Sequence, residues 1–379
     1  MTDQKILEFI KENEGLFLKL LKELCNIPAP SHKEEKRAEY CKAYLESIGA
    51  KGVYIDDALN VIYPYGCEGS NDITVIEAHT DTVFPDTKPM PFVEDGNILR
   101  CPGIGDDTAS VVGVLLTAKY FIENNIQTKD GILFVCNSCE EGLGNLKGTR
   151  QLMKDYEGRI KRLLTADASK LNSCANSCVG SHRYRVTVST QGGHSYGAFG
   201  NKNALAELSK IVTKIYEIEV PEKEGRKTTY NVGSITGGTS INTIAQTAEM
   251  LCEYRSDDIE CLQIMKGHFD KIFSKANTDK AKVEVELVGE RPCSKEGNES
   301  KVAELVKIVG DIVLDVTGDT LQTHSGSTDC NIPMSLGIPA IAFGTYIGGG
   351  THTREEWLEK DSLPKGMEII IRTALEMAK

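Results

Sequence analysis

The chain contains 379 residues, of which 40% are hydrophobic and 26% are charged, and its formal net charge at pH 7 is −12. A chain of this length is too long to fold around a single ordinary hydrophobic core, so we expect two domains. The acidic balance excludes nucleic acid and anionic membrane surfaces as expected partners, because both require a basic surface on the protein.

The amino-terminal segment carries no apolar signal core, and no apolar run in the chain reaches membrane-spanning length. We therefore expect a cytoplasmic protein with no membrane partner. Helical apolar spacing predicts a helix over residues 5–25, which ends before Pro28. The pattern Ser31-His-Lys-Glu34 is typical of a capping box and predicts a second helix that ends at Gly49.

Strand-like and helix-like segments then alternate along the chain. The predicted strands span residues 53–65, 73–78, 132–137 and 163–166, and the predicted helices span residues 108–123 and 146–156. This alternation predicts an α/β fold, in which a mostly parallel sheet is flanked by helices.

From about residue 183 the pattern changes. The order becomes strand, helix, two strands, helix and strand, over residues 184–190, 204–218, 229–235, 248–255, 259–276 and 283–288. This order is typical of a two-layer α+β unit of the ferredoxin-like kind. A helix over 301–316, a strand over 340–343 and a helix from 364 then resume the first pattern. We therefore predict one domain from residues 1–182 and 293–379, with residues 183–292 inserted into it.

Twelve cysteines are scattered through the chain. A structural zinc site would require two close pairs with suitable spacing, whereas only Cys136 with Cys139 and Cys174 with Cys178 lie close in sequence. We expect reduced, structural thiols in a reducing compartment. Cys139 is the candidate for a reactive thiol, because it immediately precedes Glu140.

Residues of the kind that bind metal ions recur at the ends of the strand-like runs. They form five groups, which are His79 with Asp81, Asp106 with Asp107, Glu140 with Glu141, Asp167, and His352 in a glycine-rich loop. Ligands of parallel α/β sheets collect beyond the carboxyl ends of the strands, so these groups should converge. Each group alone is more typical of a polar turn, a helix cap or an exposed charge. Together they predict a two-metal hydrolase centre, which requires several imidazole and carboxylate ligands.

The motifs that carry these groups resemble the dinuclear zinc metallopeptidase family of peptidase T, carboxypeptidase G and acetylornithine deacetylase. The resemblance covers nearly the whole chain, and its motifs are His-Thr-Asp-Thr-Val from residue 79, Gly-Ile-Gly-Asp-Asp-Thr-Ala from 103, Cys-Glu-Glu-Gly-Leu-Gly from 139, Ala-Asp-Ala from 166 and Gly-Gly-Gly-Thr-His-Thr from 348. It implies two zinc sites bridged by one carboxylate. The ligands would be His79, Asp106 and Asp167 at one site, and Asp106, Glu141 and His352 at the other.

The resemblance also implies roles for the residues around the metal ions. Asp81 would orient His79, and Glu140 would be the general base. The peptide bond after Asp106 would be cis. The metal ions would be zinc, with cobalt or manganese as alternatives.

The inserted unit is expected to be a lid domain, because three of its segments resemble the family's substrate-binding elements. His194 in Gly-Gly-His-Ser would polarise the scissile carbonyl, often across a homodimer formed through the lid. Asn242 would lie in the substrate loop and Arg255 would bind a substrate carboxylate. Two departures concern the substrate: Thr108 stands where relatives frequently have lysine, and the loop His324-Ser-Gly-Ser-Thr-Asp329 is shared with only part of the family.

We therefore predict a metal-dependent amide hydrolase. The expected activity is that of a peptidase T-like exopeptidase, which cleaves di- and tripeptides with a water activated by two zinc ions. The alternative within the enzyme class is a deacylase of N-acyl amino acids, similar to acetylornithine deacetylase. A non-catalytic metal-dependent scaffold on the same fold is the alternative from another class.

Overall fold

The computed structural model describes residues 2–379. The helices are α1 (Thr2–Cys25), α2 (Glu35–Ser47), α3 (Ser110–Glu123), α4 (Lys147–Asp155), α5 (Ala204–Tyr216), α6 (Ile259–Ala276), α7 (Glu299–Thr317), α8 (Asn331–Ser335) and α9 (Leu363–Met377). The strands are β1 (Tyr54–Ile55), β2 (Val61–Tyr65), β3 (Ile73–His79), β4 (Val93–Asp95), β5 (Ile98–Arg100), β6 (Gly131–Asn137), β7 (Ile160–Thr165), β8 (Ser173–Cys178), β9 (Gly180–Thr190), β10 (Gly193–His194), β11 (Thr228–Gly237), β12 (Thr243–Ile244), β13 (Thr247–Ser256), β14 (Ala281–Arg291), β15 (Gln322–Gly326), β16 (Ala340–Phe343), β17 (Gly348–Gly349) and β18 (Trp357–Glu359).

The chain forms two compact units. One contains the chain up to Cys178 together with Lys295–Lys379, and the other is Val179–Ser294. Each unit has its own hydrophobic core. Within residues 2–379, no helix combines the length and the apolar character that crossing a lipid bilayer requires.

The first unit is built on an eight-stranded sheet with the order β1-β2-β6-β3-β7-β16-β8-β15. The neighbours β6 and β3, β3 and β7, β7 and β16, and β8 and β15 are parallel. Every residue of β3 and β6 is buried, which explains why these strands read as continuous apolar runs rather than as alternating ones. The predicted α/β class with a mostly parallel sheet is confirmed.

A small antiparallel sheet with the order β17-β18-β5-β4 also belongs to the first unit. Sequence periodicity did not indicate it, because its strands have only two or three residues and β4 is exposed along its length. The segment predicted as one strand over 53–65 is instead a hairpin of β1 and β2. Leu59, with a φ of 78°, lies in the turn between them.

The predicted capping box is wrong. Helix α2 begins at Glu35 and has no side-chain cap. The Ser31 hydroxyl donates to Asp81 Oδ2 at 2.6 Å instead, and Glu34 Oε1 accepts the Cys139 N–H at 3.0 Å. Both side chains therefore stabilise the loops at the carboxyl end of the sheet rather than the helix.

The second unit contains an antiparallel sheet with the order β11-β13-β9-β14, against which α5 and α6 pack. Along β9, Tyr184, Val186 and Val188 are buried and alternate with more exposed residues, which is the pattern of a sheet with one covered face. The strand and helix order is that of a split βαβ unit. The role of this unit as a lid domain stays a prediction.

Candidate metal centre

His79 is the last residue of β3 and is fully buried between the neighbouring strands β6 and β7. Its Nδ1 lies 3.1 Å from the backbone oxygen of Asp81 and 3.4 Å from Asp81 Oδ1. This contact holds the ring so that Nε2 faces Asp106, whose Oδ1 lies 3.0 Å away. The backbone N–H of His79 donates to Asp107 Oδ2 at 3.0 Å.

Asp106 lies in the sharp loop that leads into α3, and its peptide bond to Asp107 is cis, as the resemblance implied. Glu356 accepts hydrogen bonds from the backbone N–H groups of this loop. Position 105 requires glycine for steric reasons, because a Cβ there would lie 2.6 Å from the Tyr346 ring. The loop therefore has little freedom to move the Asp106 carboxylate.

Thr108, the departure from the family pattern, has a structural role in this loop. Its hydroxyl donates to the Gly103 carbonyl at 2.5 Å and accepts from Arg37 Nη1 at 3.1 Å. Arg37 is buried, and the same nitrogen donates to the Thr80 carbonyl at 2.9 Å. Thr108 thus connects the Asp106 loop to the segment that follows His79.

Glu140 and Glu141 follow β6 and are both buried. The Asp81 carboxylate accepts their backbone N–H groups, each at 3.0 Å. Glu141 has an extended backbone, with φ −74° and ψ 145°, so adjacent side chains diverge there. Asp81 therefore supports both the imidazole of His79 and the turn that carries the two glutamates.

His352 reaches the other side of the Asp106 carboxylate from the loop after β17. Its Nε2 lies 3.0 Å from Asp106 Oδ2 and 3.1 Å from Glu141 Oε1. The two oxygens of Asp106 thus face two different imidazoles, of His79 and His352. This is the arrangement that a bridging carboxylate requires.

Asp167 follows β7 in the loop that begins at Ala166. Burial raises the pKa of its carboxyl well above the ordinary value, and the nearby Asp106 carboxylate raises it further. Burial likewise raises the pKa of Glu141 to about 7. Several buried carboxylates close together are unfavourable unless a cation compensates them.

In the absence of a cation, the imidazoles of His79 and His352 supply the positive charge that compensates these carboxylates. Hydrogen bonds to Asp106 and Glu141 raise the pKa of His352 to about 10. Although burial opposes ionisation of Asp106, the hydrogen bonds from His352 and His79 hold its pKa well below the ordinary value. A divalent cation would replace these protons.

The donor set fits a metal ion. His79, Asp106 and Glu141 each offer one ligand atom, and these atoms all lie within 4.8 Å of one another. Imidazole nitrogen together with carboxylate oxygen is a combination that zinc accepts. The metal-binding roles of His79, Asp106, Glu141, Asp167 and His352 stay predictions.

The structure does not support a reactive thiol at Cys139. The side chain is buried, its Sγ lies 3.2 Å from Glu34 Oε1, and burial together with the Glu34 charge raises the pKa of the thiol. All twelve cysteines are buried, which agrees with the expectation of structural thiols.

In the His324–Asp329 loop, the buried Asp329 carboxylate accepts the Asn137 side-chain N–H at 2.6 Å.

The three lid candidates belong to the second unit. His194 in β10 pairs with Thr243 in β12, so Asn242 lies beside it, and the Ser195 N–H donates to the Asn242 carbonyl at 2.9 Å. Arg255 lies apart from them on β13. There its Nε and Nη2 donate to the Glu253 carboxylate at 2.7 and 3.0 Å.

Sequence reasoning missed three residues around the centre, namely Ser31, Glu34 and Glu356. Ser31 and Glu34 matched a local pattern that describes a different role. Glu356 is one of two adjacent glutamates, and a single sequence carries no signal that separates it from the exposed Glu355.

Comparison with known proteins places this architecture among metal-dependent peptidases. The sequence model of peptidase family M20/M25/M40 matches residues 75–376. Succinyl-diaminopimelate desuccinylase of Corynebacterium glutamicum is 24% identical over 348 residues, which cover 89% of this chain and 90% of that protein.

The solved structures that share the fold include two peptidases. A tripeptidase of Staphylococcus aureus superposes with a TM-score of 0.75 at 22% identity, over 97% of this chain and 99% of that one. The YXEP protein of Bacillus subtilis, described as a dinuclear metal binding peptidase of the M20 family, superposes with a TM-score of 0.65 at 15% identity, also over 97% and 99%.

The predicted class, a metallopeptidase or related amidohydrolase, is confirmed by the family match, which spans well over half of the 379 residues. The predicted resemblance to the dinuclear peptidases is confirmed as well. The chain belongs to peptidase family M20/M25/M40.

Proposed function

We propose that this protein is a cytoplasmic zinc-dependent exopeptidase that hydrolyses di- and tripeptides. The observation that carries the proposal is the position of the Asp106 carboxylate, 3.0 Å from the Nε2 atoms of both His79 and His352. Glu141 contacts the second imidazole, and Glu140 is the adjacent residue of the same turn. Ligand candidates and a candidate base thus stand side by side.

The proposed ligands are His79, Asp106 and Asp167 for one zinc ion, and Asp106, Glu141 and His352 for the other. When bound, the two ions act as Lewis acids toward the attacking water and the scissile carbonyl. Cobalt and manganese are alternatives, because both accept imidazole and carboxylate ligands.

Glu140 is the proposed general base. Its backbone is fixed by Asp81, and its side chain is buried. A carboxylate held in this way takes a proton from the attacking water and delivers it to the nitrogen of the leaving amine. Breakage of the C–N bond then releases the two products.

His194 is proposed to stabilise the oxyanion that develops on the carbonyl oxygen. Its Nδ1 accepts the backbone N–H groups of Tyr196 at 3.3 Å and of Gly197 at 3.2 Å. In the neutral ring these bonds leave the proton on Nε2. The exposed edge of the ring is therefore a hydrogen-bond donor, as oxyanion stabilisation requires.

Substrate binding is assigned to the second unit acting as a lid domain, with Asn242 in the substrate loop and Arg255 as the partner of a substrate carboxylate. We also propose a homodimer formed through this domain. Arg255 is partly exposed and uses Nε and Nη2 for Glu253. Its Nη1 is the nitrogen available to a carboxylate.

A deacylase of N-acyl amino acids is the second candidate, favoured by the similarity to the desuccinylase. A panel of dipeptides, tripeptides, N-acetyl amino acids and N-succinyl amino acids, assayed with zinc, cobalt and manganese in turn, separates the two. We expect the highest kcat/KM with di- or tripeptides. Hydrolysis of the N-acyl substrates alone would establish the deacylase, and metal binding without any hydrolysis would establish a scaffold.

A further inference from the structure

Glu356 is a buried carboxylate whose hydrogen bonds all lead to one short backbone segment. Its Oε2 accepts the N–H of Gly103 at 2.7 Å, and its Oε1 accepts those of Gly105 at 2.9 Å and Asp106 at 2.8 Å. Only 2% of its surface is exposed. Three charge-assisted hydrogen bonds are strong in such an environment.

The strands β5 and β18 of the small sheet bring Glu356 close to the loop of Asp106. Strand β5 ends at Arg100 and leads into the loop of Asp106, whereas β18 begins at Trp357, directly after Glu356. The strands are antiparallel, and Arg100 pairs with Trp357. The loop that carries Asp106 and the loop that carries His352 and Glu356 therefore leave the same end of this strand pair.

The position of Glu356 relates two of the proposed ligands to each other. Glu356 lies four residues after His352 in one loop and binds the backbone N–H of Asp106 in the other. It therefore links the two loops whose side chains meet at a distance of 3.0 Å between Asp106 Oδ2 and His352 Nε2. The bridging position of Asp106 depends on that distance.

We propose that Glu356 is the positioning residue of the metal centre, which holds the Asp106 and His352 loops in their ligand-binding arrangement before any metal binds. The inference rests on the proposed function for the identity of the ligands. Glu356 is not one of the proposed ligands and acts through the backbone of Asp106.

The test uses Glu356→Gln, with Glu355→Gln as the matched control on the adjacent, exposed residue. Glutamine keeps the shape but turns one acceptor into an N–H₂ group, which faces a backbone N–H donor. Zinc affinity and stoichiometry are measured by calorimetry. We expect Glu356→Gln to lower zinc affinity roughly 10–100-fold, as loss of a supporting partner does, and Glu355→Gln to leave it unchanged.

Kinetics at saturating zinc separate positioning from general destabilisation. We expect kcat of Glu356→Gln to fall while KM stays within about twofold of the wild-type value. A folded Glu356→Gln protein with unchanged zinc affinity and unchanged kcat would overturn the proposal. If the wild-type protein binds zinc but hydrolyses no substrate, the proposed function fails, and the affinity difference between the two variants still supports the positioning role.

Hydrogen exchange tests the same proposal without a substitution. In the metal-free wild-type protein, the amide hydrogens of Gly103, Gly105 and Asp106 should exchange slowly, because Glu356 holds them. Exchange as fast as that of the exposed turn at Gly96 would overturn the proposal, whatever the folding of the variants.

Discussion

The carboxylate of Asp81 accepts the backbone N–H of Glu140 at 3.0 Å. The same carboxylate accepts the N–H of Glu141 and lies beside the Nδ1 atom of His79. One buried side chain therefore connects the end of β3 to the turn after β6, so that the proposed ligands His79 and Glu141 and the proposed base share a support.

Asp81→Asn should reduce activity strongly, because the Asp81 carboxylate contacts His79, Glu140 and Glu141 at the same time. The amide keeps one acceptor but places an N–H₂ group toward a backbone N–H or toward the imidazole. We expect kcat/KM to fall roughly 10–100-fold, with weaker zinc binding. Steady-state kinetics and calorimetry measure both effects. Asp95→Asn, at an exposed position, is the control, and equal activity of the two variants would contradict the assigned role.

Glu140→Gln should separate metal binding from turnover. The substitution keeps the buried shape and removes the group that accepts the proton of the attacking water. Since general bases contribute about 10²–10⁴-fold, kcat should fall by that amount while two zinc ions remain bound. Elemental analysis of the purified variant together with kcat checks this. A variant that keeps both zinc ions and its turnover would assign the base elsewhere.

Zinc affinity of the metal-free protein should increase with pH. The pKa of His352 is raised to about 10 by its hydrogen bonds to Asp106 and Glu141, so the imidazole is protonated at neutral pH. Zinc must displace that proton, and affinity therefore rises as pH approaches this pKa. Calorimetry in buffers of different ionisation enthalpy counts the protons released. Affinity that stays constant between about pH 6 and about pH 8 would contradict the linkage.

His194→Ala should lower kcat and leave zinc binding unchanged. The proposed donor is Nε2–H, and removal of one oxyanion donor costs about 10²–10³-fold in kcat. His194→Gln, which keeps an N–H donor, should recover part of the rate. His268→Ala in α6 is the control. Equal rates for the alanine and glutamine variants would show that hydrogen-bond donation is not the role of His194.

Histidine and carboxylate residues at the ends of the predicted strands indicated the metal centre, because a parallel sheet brings the carboxyl ends of its strands to one edge. His79 at the end of β3 and Glu140 after β6 illustrate this, since the two strands are neighbours in register. The supporting residues were beyond sequence reasoning for a physical reason. The partner of Glu356 lies about 250 residues away along the chain, and no local spacing encodes such a contact. For Ser31, the local spacing favoured a helix cap, whereas its hydroxyl donates to Asp81, a contact over 50 residues of chain that no local pattern encodes.

Arg255→Ala should weaken recognition of substrates with a free carboxylate and spare their amidated counterparts. A hydrogen bond to a charged group contributes about 1.5–3 kcal/mol, so kcat/KM for a free tripeptide should fall about 10–100-fold. The value for the amidated tripeptide, which lacks the carboxylate, should change little. Arg185→Ala is the matched control, because Arg185 lies on the neighbouring strand β9 and pairs with the exposed Glu286 at 2.7 Å. If Arg255→Ala lowers kcat/KM equally for both peptides, Arg255 supports the sheet through Glu253 and does not bind the substrate carboxylate.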